Sequence, residues 1–273
     1  MNGWSWSVPA PWARRIPFGP DPARRPDTMP WGNSMVVGSA MNPNYREPME
    51  LLVHDSPKAV ADAASGRVAE LISSAQTRFS LGLAGGTTPE ATYKSLRGKA
   101  SGWANVDSWL SDERWVPPDH ERSNGQMAAL AILDHVAAVF HRPKWSESMM
   151  PEDSAAHYEA QLRSIHGHGP PDLVMLGMGE DGHTASLFPQ TTAVDERQRW
   201  YVANQVPQLG EDRLTATFPL LWSARLLMVV VVGANKAVAL KESFEQKTPA
   251  GHLGEGDAVV EWYVDQDAAS LVV

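Results

Sequence analysis

The stretch Pro171-Asp172-Leu173-Val174-Met175-Leu176-Gly177-Met178-Gly179-Glu180-Asp181-Gly182-His183-Thr184-Ala185-Ser186-Leu187-Phe188-Pro189 begins as an apolar run and breaks into glycines. A short apolar run bounded by turn residues reads as a buried strand, here Asp172 to Leu176. A glycine-dense turn after such a strand brings backbone close to a small ligand. The same turn carries a carboxylate, Asp181, two positions before an imidazole, His183. Gly177, Gly179 and Gly182 also satisfy the G-x-G-x-x-G spacing of dinucleotide-binding loops. That spacing works only where a long helix opens at the glycines and an acid follows about 20 positions on, after a second strand. Pro189 interrupts any helix soon after it could start. Asp195 and Glu196 come early and follow no strand pattern. The context argues against NAD and leaves an acid and a base on one loop, where His183 could take a proton from water.

Outward from this loop, strand and helix patterns alternate. Strands are expected at Glu50–His54, Phe79–Ala84, Val106–Leu110, Trp200–Asn204, Leu226–Val232 and Val259–Val264. Helices are expected at Lys58–Ala75, after Thr87, at Gln126–Val139, Ser154–His166 and Asn235–Phe244. The alternation predicts an α/β fold, a single domain over residues 49–273, with a mainly parallel sheet covered by helices on both faces. Residues 1–48 differ: they hold nine of the 21 prolines and four of the 11 tryptophans and show no periodic apolar pattern. Proline resists both helix and sheet interiors. This segment reads as a poorly ordered or loosely draped extension, or else as an interaction arm built on Trp4, Trp6, Trp12 and Trp31.

In open α/β sheets, ligands bind beyond the carboxyl ends of the strands, and four more segments sit there. Gly85-Gly86-Thr87-Thr88-Pro89 joins a strand to a helix, where free N–H groups and the dipole suit a phosphate; Thr87 with Glu90 fits a capping box, the alternative role for the turn. Arg114, in Ser111-Asp112-Glu113-Arg114-Trp115, could clamp a phosphate with two hydrogen bonds, or could pair locally with Asp112 or Glu113. Lys236, in Gly233-Ala234-Asn235-Lys236, falls at a helix start, where a lysine is electrostatically misplaced unless an anion binds. Arg213, in Asp212-Arg213-Leu214-Thr215, is a further candidate cation at a strand start, or a solvated surface arginine.

Composition narrows the chemistry. The formal net charge of -9 disfavours a general nucleic-acid or anionic-membrane surface, so a phosphate needs a local basic pocket. The chain has no cysteine, which excludes disulfides, thiolate zinc sites and cysteine nucleophiles. His54, His135, His157 and His166 show no metal-ligand spacing, and there is no G-x-S-x-G nucleophile elbow. The longest apolar run, Leu226–Val232, is too short to span a bilayer.

In order, these segments resemble the 6-phosphogluconolactonase family: AGGTTP at 84–89, SDERWVP at 111–117, PDLVMLGMGEDGHTASLFP at 171–189, RLTATFPLL at 213–221 and GANKA at 233–237. The resemblance runs from about Met49 to the C-terminus. It implies a modified Rossmann-like fold shared with glucosamine-6-phosphate deaminase and ribose-5-phosphate isomerase. It implies hydrolysis of 6-phosphogluconolactone to 6-phosphogluconate, with no metal and no other cofactor. His183 would then be the general base and Asp181 its orienter. Arg114, Lys236, Arg213 and the loop Gly85, Gly86, Thr87 and Thr88 would hold the 6-phosphate. A monomeric cytoplasmic enzyme with a small-molecule sugar-phosphate lactone as partner, and neither nucleic acid nor membrane, is expected. Two rivals remain open. One is an aminosugar-phosphate deaminase-isomerase, against which Arg114 and the Thr184–Pro189 run weigh. The other is a non-catalytic sugar-phosphate sensor, which would need a helix-turn-helix that the proline-rich segment cannot supply.

Overall fold

The computed structural model describes residues 49–167 and 169–273, and the backbone of 35–40. The expected 1–48 extension otherwise lies outside the described residues. Within it, β1 (Met35–Ala40) pairs antiparallel with β2 (Met49–His54) at a sheet edge.

Helix α1 (Pro57–Ser74) starts where local chemistry predicts. The Ser56 hydroxyl accepts a hydrogen bond from the Ala59 N–H at 3.2 Å, and Pro57 occupies the first turn. Val60, Ala64, Val68 and Ile72, spaced four apart, form its buried stripe. The chain continues through β3 (Phe79–Leu83), α2 (Thr87–Leu96), β4 (Val106–Leu110), β5 (Asp112–Arg114), α3 (Asn124–Ala131), β6 (Val139–Phe140), α4 (Pro151–Ile165) and β7 (Leu173–Leu176). It closes with β8 (Tyr201–Val206), β9 (Glu211–Ala216), α5 (Phe218–Ser223), β10 (Leu226–Val231), α6 (Ala237–Phe244), β11 (Val259–Asp265) and α7 (Gln266–Ala269).

Eight strands form one sheet in the order β1-β2-β11-β10-β7-β3-β4-β6, parallel except at the β1 edge. Every residue of β3, β4, β7 and β10 is buried, as strands covered on both faces must be. Side chains alternate across β10. Leu227, Val229 and Val231 pack with α4, α5 and α6 on one face, whereas Met228 and Val230 pack with α1, α2 and α3 on the other. The fold is therefore the expected α/β sheet with helices on both faces. A second, three-stranded antiparallel sheet, β5-β9-β8, sits beyond the end of β4.

Two helix expectations need correction. The helix expected over Gln126–Val139 ends at Ala131, because Ile132 leaves helical geometry with φ -147°. A 3-10 turn follows at Leu133–His135, and Val139–Phe140 then covers the outer edge of β4. Pairing an otherwise open sheet edge outweighs local helix propensity there. The helix expected from Asn235 begins instead as a 3-10 turn, Ala234–Lys236, and becomes α-helical at Ala237. No described helix is long and apolar enough to cross a membrane.

Candidate active site

Strands β10, β7, β3 and β4 are consecutive in the large sheet, and their carboxyl ends open into one cleft of about 230 Å³. Gly85, Gly86, Thr87, Thr88, Arg114, His183, Arg213 and Lys236 all line it. Asp181 is the one candidate residue outside this lining; it lies behind His183.

The loop after β7 is tied to itself. The Gly179 N–H donates to the His183 carbonyl at 2.8 Å, and the Thr184 hydroxyl donates to the Gly177 carbonyl at 2.9 Å. No helix opens at the glycines, consistent with the rejection of a dinucleotide loop. Their role differs in part from the expected close approach to a ligand. A Cβ at Gly179 would lie 2.1 Å from His183 Nδ1 and 2.5 Å from Asp181 Oδ1. A Cβ at Gly182, whose φ is +74°, would meet the Thr248 side chain at 2.4 Å. These glycines make room for the protein's own side chains.

Asp181 Oδ1 accepts from the His183 N–H at 3.1 Å and contacts His183 Nδ1 at 2.5 Å. Burial alone would raise the Asp181 pKa, but the hydrogen bond and charge of His183 outweigh it and hold the carboxyl below its ordinary value. An ionised carboxylate only accepts, so Nδ1 carries a proton, and in the neutral imidazole the lone pair is then on Nε2. The imidazole is also stacked on Phe188, with ring centroids 4.0 Å apart and planes 25° apart. Two contacts thus fix the ring, and its side chain retains 28% exposure. The sequence marks the Phe188 stack only by an aromatic residue five positions after the histidine.

The glycine turn before α2 is not a capping box. Gly86, at φ 102°, takes the cap position; no side chain caps the helix, and Glu90 pairs with Lys94 instead. Only glycine adopts that φ readily, so the cap has no side chain to offer; the Glu90 N–H donates to the Gly86 carbonyl at 3.0 Å, and Thr87 and Thr88 line the cleft. Gly85 is needed for packing, since a Cβ there would lie 1.9 Å from Asn124 Oδ1.

Arg114 does not pair with either neighbouring acid. Glu113 is buried and accepts from the Arg114, Asn124 and Gly125 N–H groups and the Ser123 hydroxyl, at 2.7–2.9 Å. Burial still pushes its pKa up against those donors. Asp112 accepts from the Ser186 hydroxyl at 2.7 Å. Glu113 therefore anchors the 123–125 turn and the N-terminus of α3, while the Arg114 guanidinium donates to the Arg122 carbonyl at 2.6 Å.

Arg213 is no solvated surface residue; it is only 8% exposed. It stands directly across the β5–β9 ladder from Arg114. Like charges in such a pair repel. Burial and then the Arg114 charge push the Arg213 guanidinium pKa down, while Asp112 and Glu211 oppose that shift. The Nε atoms of both arginines are buried and have no hydrogen-bond partner among the described residues. An anion between the two would relieve the repulsion. Lys236 caps α6 and makes no ion pair among the described residues, in the electrostatically awkward position the sequence implies. Its neighbour Asn235 donates to Glu180 at 2.7 Å, which links the Lys236 turn to the loop of Asp181 and His183.

The profile of the family described as glucosamine-6-phosphate isomerases/6-phosphogluconolactonase matches residues 55–262. A 6-phosphogluconolactonase from Synechocystis sp. is 37% identical over 224 residues, 77% of this chain and 86% of the relative. A similar structure is that of 6-phosphogluconolactonase from Trypanosoma brucei, at TM-score 0.73 and 23% identity over 84% of this chain and 100% of the other. A monomeric glucosamine-6-phosphate deaminase superposes at TM-score 0.70 and 21% identity, over 81% of this chain and 99% of the other. The two structures establish the fold, which the lactonase and the deaminase share, and the 37% identity to a 6-phosphogluconolactonase shows the family. This chain belongs to the 6-phosphogluconolactonase family, within the wider glucosamine-6-phosphate isomerase/6-phosphogluconolactonase group.

Proposed function

We infer that the protein hydrolyses 6-phospho-D-glucono-1,5-lactone to 6-phospho-D-gluconate in the pentose phosphate pathway. The observation that carries this reading is one cleft holding both an oriented imidazole and three cations, Arg114, Arg213 and Lys236, of which Arg213 is paired with Glu211 and the other two have no ion pair among the described residues. The substrate supplies a complement to each, an activated ester and a phosphate.

In this reading the phosphate enters between Arg114 and Arg213, near Lys236 and the N-terminus of α2. Binding energy from this remote group then positions the ring. His183 Nε2 accepts a proton as a water oxygen attacks the lactone carbonyl. The new imidazolium is stabilised by Asp181 through Nδ1 and by the face of Phe188. As the tetrahedral intermediate collapses, the bond from the carbonyl carbon to the ring oxygen breaks, and His183 returns its proton to that oxygen. A lactone is reactive enough that a positioned water, a base and oxyanion donors suffice, so the residues present need no metal. A monomer working in the cytoplasm is the simplest setting for a small soluble substrate.

The test offers the protein two substrates in parallel. Formation of 6-phosphogluconate from freshly generated lactone, above the spontaneous rate, is the expected result. Ammonia release from glucosamine 6-phosphate without lactone hydrolysis would assign the chain to the deaminase activity instead. Binding of both compounds with no turnover would make it a sensor.

A further inference from the structure

Arg122 lies outside the cleft lining, yet it touches Arg114 directly and reaches Arg213 through Glu211. Its carbonyl accepts from Arg114 Nη1 at 2.6 Å. Its guanidinium is ion-paired with Glu211 Oε1, and the other oxygen of that carboxylate, Oε2, accepts from Arg213 Nη2 at 2.7 Å. Glu211 is thus shared between two arginines, one in the cleft and one behind it. Arg114 and Arg213 are neighbours in the β5–β9 register, so the 122 turn closes a ring: Arg114, the Arg122 backbone, the Arg122 side chain, Glu211 and Arg213.

The ring addresses a problem any phosphate clamp on this ladder faces. Two guanidiniums held opposite each other need a counter-charge while the site is empty, but a carboxylate committed to Arg213 would compete with the phosphate. Sharing Glu211 with Arg122 holds Arg213 in place and draws the carboxylate's charge away from the cleft. We propose that Arg122 is a positioning residue for phosphate recognition, acting through Glu211 to keep Arg213 oriented and available to the anion. This rests on the phosphate-clamp reading given above and names the residue that tunes it.

A double-mutant comparison separates this role from a merely structural one. In Arg122→Ala, Glu211 is left to Arg213 alone and neutralises it. KM for the lactone and the inhibition constant for inorganic phosphate should both rise, by about fivefold or more, the scale of one weakened charge-assisted contact, while kcat is little changed. Arg122→Lys restores a cation for Glu211 and should recover most of the loss. Arg122→Ala/Glu211→Gln removes the competing charge and should also bring phosphate inhibition back toward the wild-type value.

The experiment is steady-state kinetics with phosphate inhibition on the full chain, with Arg114→Ala as a reference. Wild-type constants for Arg122→Ala would overturn the proposal. So would a double variant as weak as Arg122→Ala, because Arg122 would then not act through Glu211. A kcat loss at unchanged KM would place its effect on the catalytic loop and refute it equally. If Arg114→Ala left phosphate inhibition intact, the clamp itself would be wrong; if only the Arg122 variants did so, the clamp would stand and the positioning role would fall.

Discussion

Replacing Asp181 by Asn removes one charge from the proposed catalytic pair and little volume. The wild-type carboxylate lies 2.5 Å from His183 Nδ1 and also accepts from the His183 backbone N–H. In the proposed mechanism His183 becomes an imidazolium during turnover, so Asp181 would act on a charge that exists only after water has given up its proton. Two unit charges about 4 Å apart interact by about 1 kcal/mol in water and by about 4 kcal/mol near a protein surface. The Asp181 side chain is 48% exposed, so solvent screening places the effect in the lower half of that range. About 1–2 kcal/mol corresponds to a loss of roughly 5- to 30-fold in kcat. Asparagine can also present its N–H₂ to Nδ1, which would favour the wrong tautomer and deepen the loss. Since Asp181 does not line the cleft, KM should stay near wild type. The assay follows 6-phosphogluconate formation from fresh lactone at several concentrations, with the spontaneous rate subtracted. Wild-type kcat would refute the orienting role of Asp181; an unchanged kcat with a raised KM would move it to substrate binding.

Three further outcomes follow from individual contacts. Lys236→Ala should raise KM and leave kcat largely intact, as loss of a binding charge requires; unchanged KM in the same assay would remove Lys236 from the phosphate site. Gly179→Ala drives a methyl group into the His183–Asp181 pair and should lower kcat by about 100-fold, the scale of an ångström-sized misplacement. Its thermal unfolding midpoint should change little, because the clash is with movable side-chain ends; wild-type turnover would show that the pair needs no such fixing. His166 is buried against Ser80 and Trp109, and burial depresses its pKa from 6.5 to about 4. Its neutral form is favoured in the fold, so its contribution to stability is present above about pH 6.5 and is lost as pH falls toward about 4. The full effect is at most roughly 3 kcal/mol. His166→Gln should flatten that part of the urea-unfolding profile between pH 4 and 7, and an unaltered slope would contradict the buried neutral imidazole.

Much of this arrangement is legible in the residues because the sheet is buried on both faces. Runs such as Leu226–Val231 must be apolar throughout, and the loops at their carboxyl ends then stand out by glycine and charge. His183, Asp181, Arg114 and Lys236 could be named on that basis. Features set by contacts distant in sequence could not. Nothing local marks Val139–Phe140 as a strand; it forms because β4 offers an edge. Arg213 reads from the sequence as either a candidate cation or a surface arginine, and only the β5–β9 register places it opposite Arg114. The capping box at Thr87 and Glu90 satisfies a local rule, yet Gly86 takes the cap and Glu90 pairs with Lys94. Gly85 and Gly179 illustrate the same limit, since the side chains they accommodate come from Asn124 and from the Asp181–His183 pair.

The most direct test of the account is His183→Ala, assayed for lactone hydrolysis and, separately, for inhibition by inorganic phosphate. Loss of a general base should lower kcat by about 10²–10⁴-fold. The phosphate inhibition constant should be nearly unchanged, because Arg114, Arg213 and Lys236 remain in place. Turnover at the wild-type rate would show that His183 is not the base and contradict the mechanism at its centre.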